Sequence, residues 1–174
     1  GFGDPFGSPT YLDLLRRVNE LERVPKLRLH SNGQAWTAKL WEQLPNLHGQ
    51  VVEVEISIDA ATESTYNLNR PGGSFTRLLA NLDSLAGYAY PLTLSMVVQH
   101  NNFREIEEFV ALARRFNARV YLSQLVNWGT FGHAEFADRA VHLPGHPDHA
   151  EFRALLVKVA KESDMDLGNL RSLL

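Results

Sequence analysis

The chain contains no cysteine, and only 2 of its 174 residues are methionine. Without a thiol it can hold no disulfide, no thiolate nucleophile and no cysteine-ligated zinc or iron–sulfur cluster of its own. Charge of one sign is lacking too. The 17 lysines and arginines stand against 20 acids, a net charge of −3, which supplies no broad positive field for DNA or RNA. No apolar run approaches the length of a membrane span. No basic, then apolar, then small-residue leader opens the chain. Low-complexity tracts are absent as well. The expectation is a soluble, cytoplasmic protein with no nucleic-acid and no membrane partner. What is present is a composition 44% hydrophobic. That suffices for one domain with a real core, but the length is too short for a complete eight-fold α/β barrel.

The one periodicity is strand alternating with helix. The chain opens with Gly1-Phe2-Gly3-Asp4-Pro5-Phe6-Gly7-Ser8-Pro9, which reads as a loop. Ser8 then Pro9 suits a helix entry, and Leu12, Leu15, Val18 and Leu21 keep helical spacing over 9–23. A domain rarely begins on a glycine loop, so a strand feeding this loop is expected to be missing. Residues 26–33 read as a short strand ending in a turn. Residues 37–43 read as a helix, with Trp36, Leu40, Trp41 and Leu44 apolar. The clearest strand is 51–59. A helix starts near Thr62 and is interrupted by Arg70-Pro71-Gly72-Gly73. A helix over 75–86 follows, with Leu78, Leu79, Leu82 and Leu85 inward. Then come a strand at 91–102, a helix at 103–116 and a strand at 119–128. Beyond Gly129 the pattern loosens, and Gly145-His146-Pro147-Asp148 introduces a last helix over 147–163.

The strand faces are more informative than the strands. Val52, Val54, Ile56 and Ile58 share one face of 51–59, and Glu53, Glu55, Ser57 and Asp59 the other. One face of 26–32 carries Arg28, His30 and Asn32. In 91–102, Thr93, Ser95, Val97, Gln99 and Asn101 oppose Leu92, Leu94, Met96 and Val98. In 119–128, Tyr121, Ser123, Leu125 and Asn127 oppose Val120, Leu122 and Val126. Each strand has one apolar face and one largely polar face. A doubly wound sheet, covered by helices on both sides, reads apolar on both. A curved sheet with outer helices and a polar, ligand-holding interior fits this pattern, which predicts an α/β barrel or partial barrel.

Ser57 and Asp59 close their strand at the end where such folds put their chemistry. With Asp4 and Arg70 they could gather at one rim. There the serine and aspartate would hold a hydroxyl or ammonium, and the arginine a carboxylate. With equal weight, Ser57 and Asp59 cap the next turn and Arg70 pairs with a nearby acid. Glu53 with Arg28, deeper inside, reads as a structural ion pair, and Glu55 stays open. His142, His146 and His149 with Asp148 resemble a metal cluster. However, His146-Pro147-Asp148 also starts a helix and no His-Glu-x-x-His occurs, so no metal site is assigned. Gly1-x-Gly3-x-x-x-Gly7 departs by one residue from a dinucleotide loop, and the strand after it ends in His30-Ser31-Asn32. There is no Gly-x-Ser-x-Gly elbow and no phosphate loop.

Read in order, these strand-end motifs over residues 1–132 resemble the radical S-adenosylmethionine (SAM) enzymes. Gly1-Phe2-Gly3-Asp4-Pro5 is similar to the family's Gly-Gly-Glu-Pro loop, with Asp4 in place of glutamate. Ser31-Asn32-Gly33 is similar to its Thr-Asn-Gly, and Ser57-Ile58-Asp59-Ala60 to its Ser-Ile-Asp-Gly. Arg70 matches the arginine about a dozen residues later. Gln99 and Asn101 end what would be the fifth strand, and Leu125 to Asn127 the sixth, near the adenine.

The resemblance implies SAM-binding roles for Gly3, Asp4, Pro5, Asn32, Ser57, Asp59, Arg70, Gln99 and Leu125. It implies SAM and a [4Fe–4S] cluster as cofactors of the parent enzyme, whose 5′-deoxyadenosyl radical takes hydrogen from a substrate in the polar interior. The Cys-x-x-x-Cys-x-x-Cys loop that holds the cluster is not in this sequence. The expectation is therefore an incomplete (β/α)6, TIM-type barrel over 1–132, with strands three to six present, and a helical extension over 133–174. Such a chain would supply part of the SAM cradle and substrate wall. It would be inactive alone, bind SAM weakly or not at all, and self-associate through exposed sheet edges. The sequence does not name the substrate, and peptide, sugar and nucleotide all stay open. The other readings are a cluster-free binding module, a barrel enzyme using Asp59 and Glu55 as acid and base, and a structural subunit completing another chain's barrel.

Overall fold

A computed structural model describes residues 3–174; Gly1 and Phe2, which open the first loop, lie outside the described residues. Five strands form one parallel sheet: β1 (Leu27–Ser31), β2 (Val51–Ser57), β3 (Leu92–Val98), β4 (Arg119–Gln124) and β5 (Met165–Asp166). They neighbour one another in chain order. A doubly wound sheet reverses its strand order at a switch point; this sheet has no reversal, as a barrel wall requires. The first four strands are those expected from the sequence. The fifth is added by the tail, where two residues without an alternating pattern pair with Val120 and Tyr121.

Helices cover one side. α1 (Pro9–Asn19) starts at Ser8-Pro9 as the sequence suggests but ends four residues early. The 37–43 segment becomes two single turns, α2 (Ala38–Trp41) and α3 (Pro45–His48), because Pro45 begins a helix but cannot continue one. α4 (Glu63–Asn69) is capped by Thr62, whose hydroxyl accepts from the Thr65 N–H at 3.4 Å. α5 (Phe75–Ala86) has the expected bounds and sends Leu78 and Leu82 fully into the core. Each such leucine contributes about 1.5–3 kcal/mol of burial. α6 (Ile106–Arg115) follows a 3₁₀ turn at Phe103–Glu105. The tail carries α7 (His133–Arg139), which the sequence pattern did not announce, and α8 (His149–Val159). Among the described residues, no helix is long and apolar enough to cross a membrane.

The two faces of the sheet separate largely as the alternation predicts. Val54, Ile56, Ile58, Leu94, Met96, Val98, Val120 and Leu122 are buried beneath the helices. Arg28 and His30 are exposed on the other face, with Glu53, Glu55 and Thr93 half-buried beside them. Two residues of the 51–59 stretch break the pattern. Leu27 pairs with Val51 and Arg28 with Glu53, so Val52 is a bulge residue and is exposed while Val51 is buried. At the other end, Asp59 has φ +62° and turns out of the alternation.

Candidate functional site

A cavity of about 620 Å³ opens at the C-terminal ends of β1 and β2. Its lining includes Gly3, Asp4, Pro5, Asn32, Ser57 and Arg70. Residues from three loops and the end of β2 therefore meet at one place.

The first loop is fastened by Asp4. One carboxylate oxygen accepts from the backbone N–H groups of Phe6 (2.9 Å) and Gly7 (3.0 Å). The other accepts from the Ser31 hydroxyl and the Asn32 N–H, both at 2.7 Å. Asp4 thus folds its own loop and ties it to the end of β1. Phe6 adds an apolar anchor: it is buried and stacks on Trp36 with ring centroids 4.2 Å apart. At the end of β1, Ser31 also accepts from the Gly33 N–H at 3.0 Å, and the Asn32 side chain accepts from the Gln34 N–H at 2.9 Å. Gly33 sits at φ +72°, and a Cβ there would lie 2.5 Å from Leu78 Cδ1, so glycine is required for this turn to rest on α5.

Gln34 reaches across to the loop after α4. Its amide donates to the Tyr66 hydroxyl (2.8 Å) and the Ser74 carbonyl (3.0 Å), and its oxygen accepts from the Ser74 N–H at 3.0 Å. Burial pushes the Tyr66 phenol above its ordinary value, so it stays neutral. This clamp fixes the 70–74 loop and with it Arg70. One Arg70 Nη donates to Asp59 Oδ2 at 2.6 Å, while Nε is buried with no partner among the described residues. Burial raises the Asp59 carboxyl above its ordinary value, against the pull of the Arg70 charge.

Asp59 itself does not line the cavity; its left-handed backbone turns the carboxylate to the Val97 N–H at 2.7 Å and to Arg70. Gln99 and Leu125 are buried and lie outside the cavity lining. The Gln99 N–H donates to Asn102 Oδ1 at 2.7 Å, and its side chain faces Arg139 of α7 at 3.4 Å. Of the deeper charges, Arg28 meets Glu53 at 3.4 Å, but with side chains 80% and 45% exposed the pair is solvated. His30 lines the cavity beside Ser57, with Nε2 2.7 Å from the hydroxyl and 3.7 Å from Glu55.

Tyr11 also lines the cavity, and no local pattern distinguishes it beyond its place on α1. Glu105 was missed altogether. Its carboxylate accepts from the N–H groups of Ala61 (2.7 Å) and Thr62 (3.2 Å) and from the hydroxyls of Thr62 and Thr65, closing the N-terminus of α4. Forty residues separate Glu105 from Thr65, and no local pattern connects them.

A second polar group lies where the tail meets the exit of β3. His100, His146 and Asp148 offer ligand atoms within 4.8 Å of one another. The two ring nitrogens of His146 already meet the Asp138 carbonyl (2.9 Å) and the Asp148 N–H (3.1 Å). Asp148 is shared between His100 (3.0 Å) and Arg104 (3.2 Å). These contacts dock the tail on the sheet. His149 turns to the Val141 carbonyl instead, and the buried Nδ1 of His142 has no partner among the described residues.

The family model of the radical SAM superfamily matches residues 1–113. Mycofactocin maturase MftC of Mycobacterium tuberculosis is 32% identical over 126 residues, covering 72% of this chain and 31% of that protein. The protein of the same name from Mycobacterium ulcerans is 33% identical over 75 residues, 42% of this chain and 20% of its own length. The chain thus spans 20% to 31% of these relatives. Streptococcus suis SuiB, solved bound to S-adenosylmethionine, shares the fold with a TM-score of 0.61 at 13% identity, over 98% of this chain and 38% of its own. The matched residues include the first loop, the ends of β1 and β2 and Arg70, and on that match this chain belongs to the radical SAM superfamily.

Proposed function

We propose that residues Gly3, Asp4, Pro5, Asn32, Ser57 and Arg70 form one part of a SAM cradle, and that the polar face of the sheet is part of the substrate wall. The observation that carries this reading is their convergence on one cavity. The donor set suits the cofactor: Arg70, its side chain 29% exposed, meets Asp59 through one nitrogen, which leaves guanidinium donors for a carboxylate, and Ser57 offers a hydroxyl to the same cavity. A structure of the same fold was solved bound to S-adenosylmethionine, which supports SAM as the ligand class.

When bound and reduced, SAM supplies the radical that begins hydrogen abstraction in this superfamily. The chain's own residues bind and orient. The loop fixed by Asp4 offers backbone to the ligand, Arg70 holds its carboxylate, and Ser57 with His30 fixes the neighbouring hydroxyls. An iron–sulfur cluster does not fit the residues present, because the chain has no cysteine. No step through a cluster is therefore derived, and the chain alone is proposed to be catalytically inactive. The acid–base alternative at Asp59 and Glu55 finds less support, since both Asp59 oxygens are occupied and Glu55 faces His30. Residues 133–174 are proposed as an extension docked through His100 and Arg104.

The test is titration of the full chain with SAM, followed by NMR, which reads millimolar affinities. Shifts should concentrate on 3–5, 32, 57 and 70. Absence of saturable shifts, or shifts confined to the His100–Asp148 region, would overturn the proposal.

A further inference from the structure

Asp59 is one of three described non-glycine residues with positive φ, a conformation that costs a side chain roughly 1–2 kcal/mol. The surroundings hold it there. Its carbonyl accepts from Asn69 Nδ2 (2.8 Å) and Asn102 Nδ2 (3.0 Å). Asn102 also donates to the Val97 carbonyl at 3.0 Å, and Asn101 donates to Asn69 at 2.7 Å. The end of β3 and the end of α4 therefore grip the same peptide.

The result is an asymmetric carboxylate. Oδ1 accepts from the Val97 N–H, and Oδ2 alone meets Arg70. A purely structural arginine–carboxylate pair tends toward the two-pronged form, in which two nitrogens meet two oxygens. Here one nitrogen meets one oxygen, while the Arg70 side chain lines the cavity and stays 29% exposed. The guanidinium donors that do not meet Asp59 need acceptors, and a ligand carboxylate supplies them.

We infer that Asp59 is a positioning residue: it does not touch the ligand but holds Arg70 by one nitrogen, keeping the rest of the guanidinium for a ligand carboxylate. This rests on the proposal that the cavity takes SAM, and it gives Asp59 a different task from direct binding.

The experiment titrates the full chain, and the Asp59→Asn, Arg70→Gln and double variants, with SAM and with 5′-methylthioadenosine. The latter keeps the adenosine and the sulfur but lacks the aminocarboxylate. Asp59→Asn is expected to weaken SAM about tenfold and to leave methylthioadenosine within about twofold. Arg70→Gln should do the same, and the double variant should be no worse than the Arg70 single variant. NMR relaxation of the Arg70 Nε–H should show a rigid group in the native chain and a mobile one in Asp59→Asn.

Equal losses for both ligands, additive losses in the double variant, or an Arg70 Nε–H that stays rigid without the Asp59 charge would each overturn the inference. If Arg70→Gln leaves SAM affinity unchanged, or neither ligand binds the native chain, the SAM reading of the cavity falls first and the inference with it. Should Asp59→Asn not fold, Asp59→Glu is read instead. It keeps the charge but displaces it, and is expected to weaken SAM selectively; unchanged SAM affinity in that variant would sink the idea.

Discussion

The Asp4 carboxylate accepts a 2.7 Å hydrogen bond from the Ser31 hydroxyl, joining two residues 27 positions apart at the mouth of the cavity. Three backbone N–H groups share the same carboxylate. Removing it in Asp4→Ala strands those donors. The expected loss is roughly 2–4 kcal/mol, read as a lower urea midpoint at unchanged slope. Faster hydrogen exchange at Phe6, Gly7 and Asn32 should accompany it, and unchanged exchange there would contradict the stapling role.

Gly33 supports the same wall from below. Its φ of +72° and the 2.5 Å approach a Cβ would make to Leu78 both oppose a side chain. Gly33→Ala should cost about 2–4 kcal/mol, combining left-handed strain with overpacking. Gly49, where a Cβ meets nothing within 4 Å, is the control, and Gly49→Ala should leave the denaturation midpoint nearly unmoved.

Glu105 holds the N-terminus of α4 with both oxygens. Glu105→Gln replaces one acceptor with a donor facing donors. A loss of about 1–3 kcal/mol is expected, with the amides of Ala61 and Thr62 exchanging faster. Protection at those two amides equal to that of the native chain would contradict the clamp.

His142 predicts a pH response in the tail. Burial lowers the His142 pKa below its ordinary 6.5, and the nearby charge of His149 lowers it further. The unfolded chain therefore takes up a proton near pH 6.5 that the native chain refuses until lower pH. The stability from this group is complete above 6.5 and is lost as pH falls toward the native value. Urea denaturation at pH 7.5 and 5.5 should show this loss, and it should shrink in His142→Leu. The same loss in both chains would assign it elsewhere.

β1 has a hydrogen-bonded neighbour on one side only among the described residues, since the sheet order begins with it. An unpaired strand edge invites pairing. Light scattering should report a mass above 19.6 kDa as concentration rises. A constant monomer mass across the range would count against edge association.

The barrel-like reading was legible because burial follows period two: Leu92, Leu94, Met96 and Val98 went inward as written. The gathering of Asp4, Ser57 and Arg70 at one rim was also legible from their order in the βα repeats: Ser57 ends β2, while Asp4 lies before α1 and Arg70 ends α4. Val52 was misread, because a bulge is decided by how β1 and β2 pair and not by either strand alone. Asp59 was assigned to the polar face by the same alternation. Its inversion depends on Asn69 and Asn102, which the chain brings in from 10 and 43 residues away. β5 is too short for any period to register.

The Asp59–Arg70 pair has a consequence for charge balance. Together the two side chains sum to zero, and the pair is largely covered, with side-chain exposures of 11% and 29%. A simple carboxylate landing on Arg70 would leave one uncompensated negative charge in a poorly hydrated place. An aminocarboxylate group carries its own countercharge and adds no net charge beside the pair. Selection of amino acids over plain organic acids would then arise from the electroneutrality of the site, with no residue dedicated to rejecting the wrong ligand.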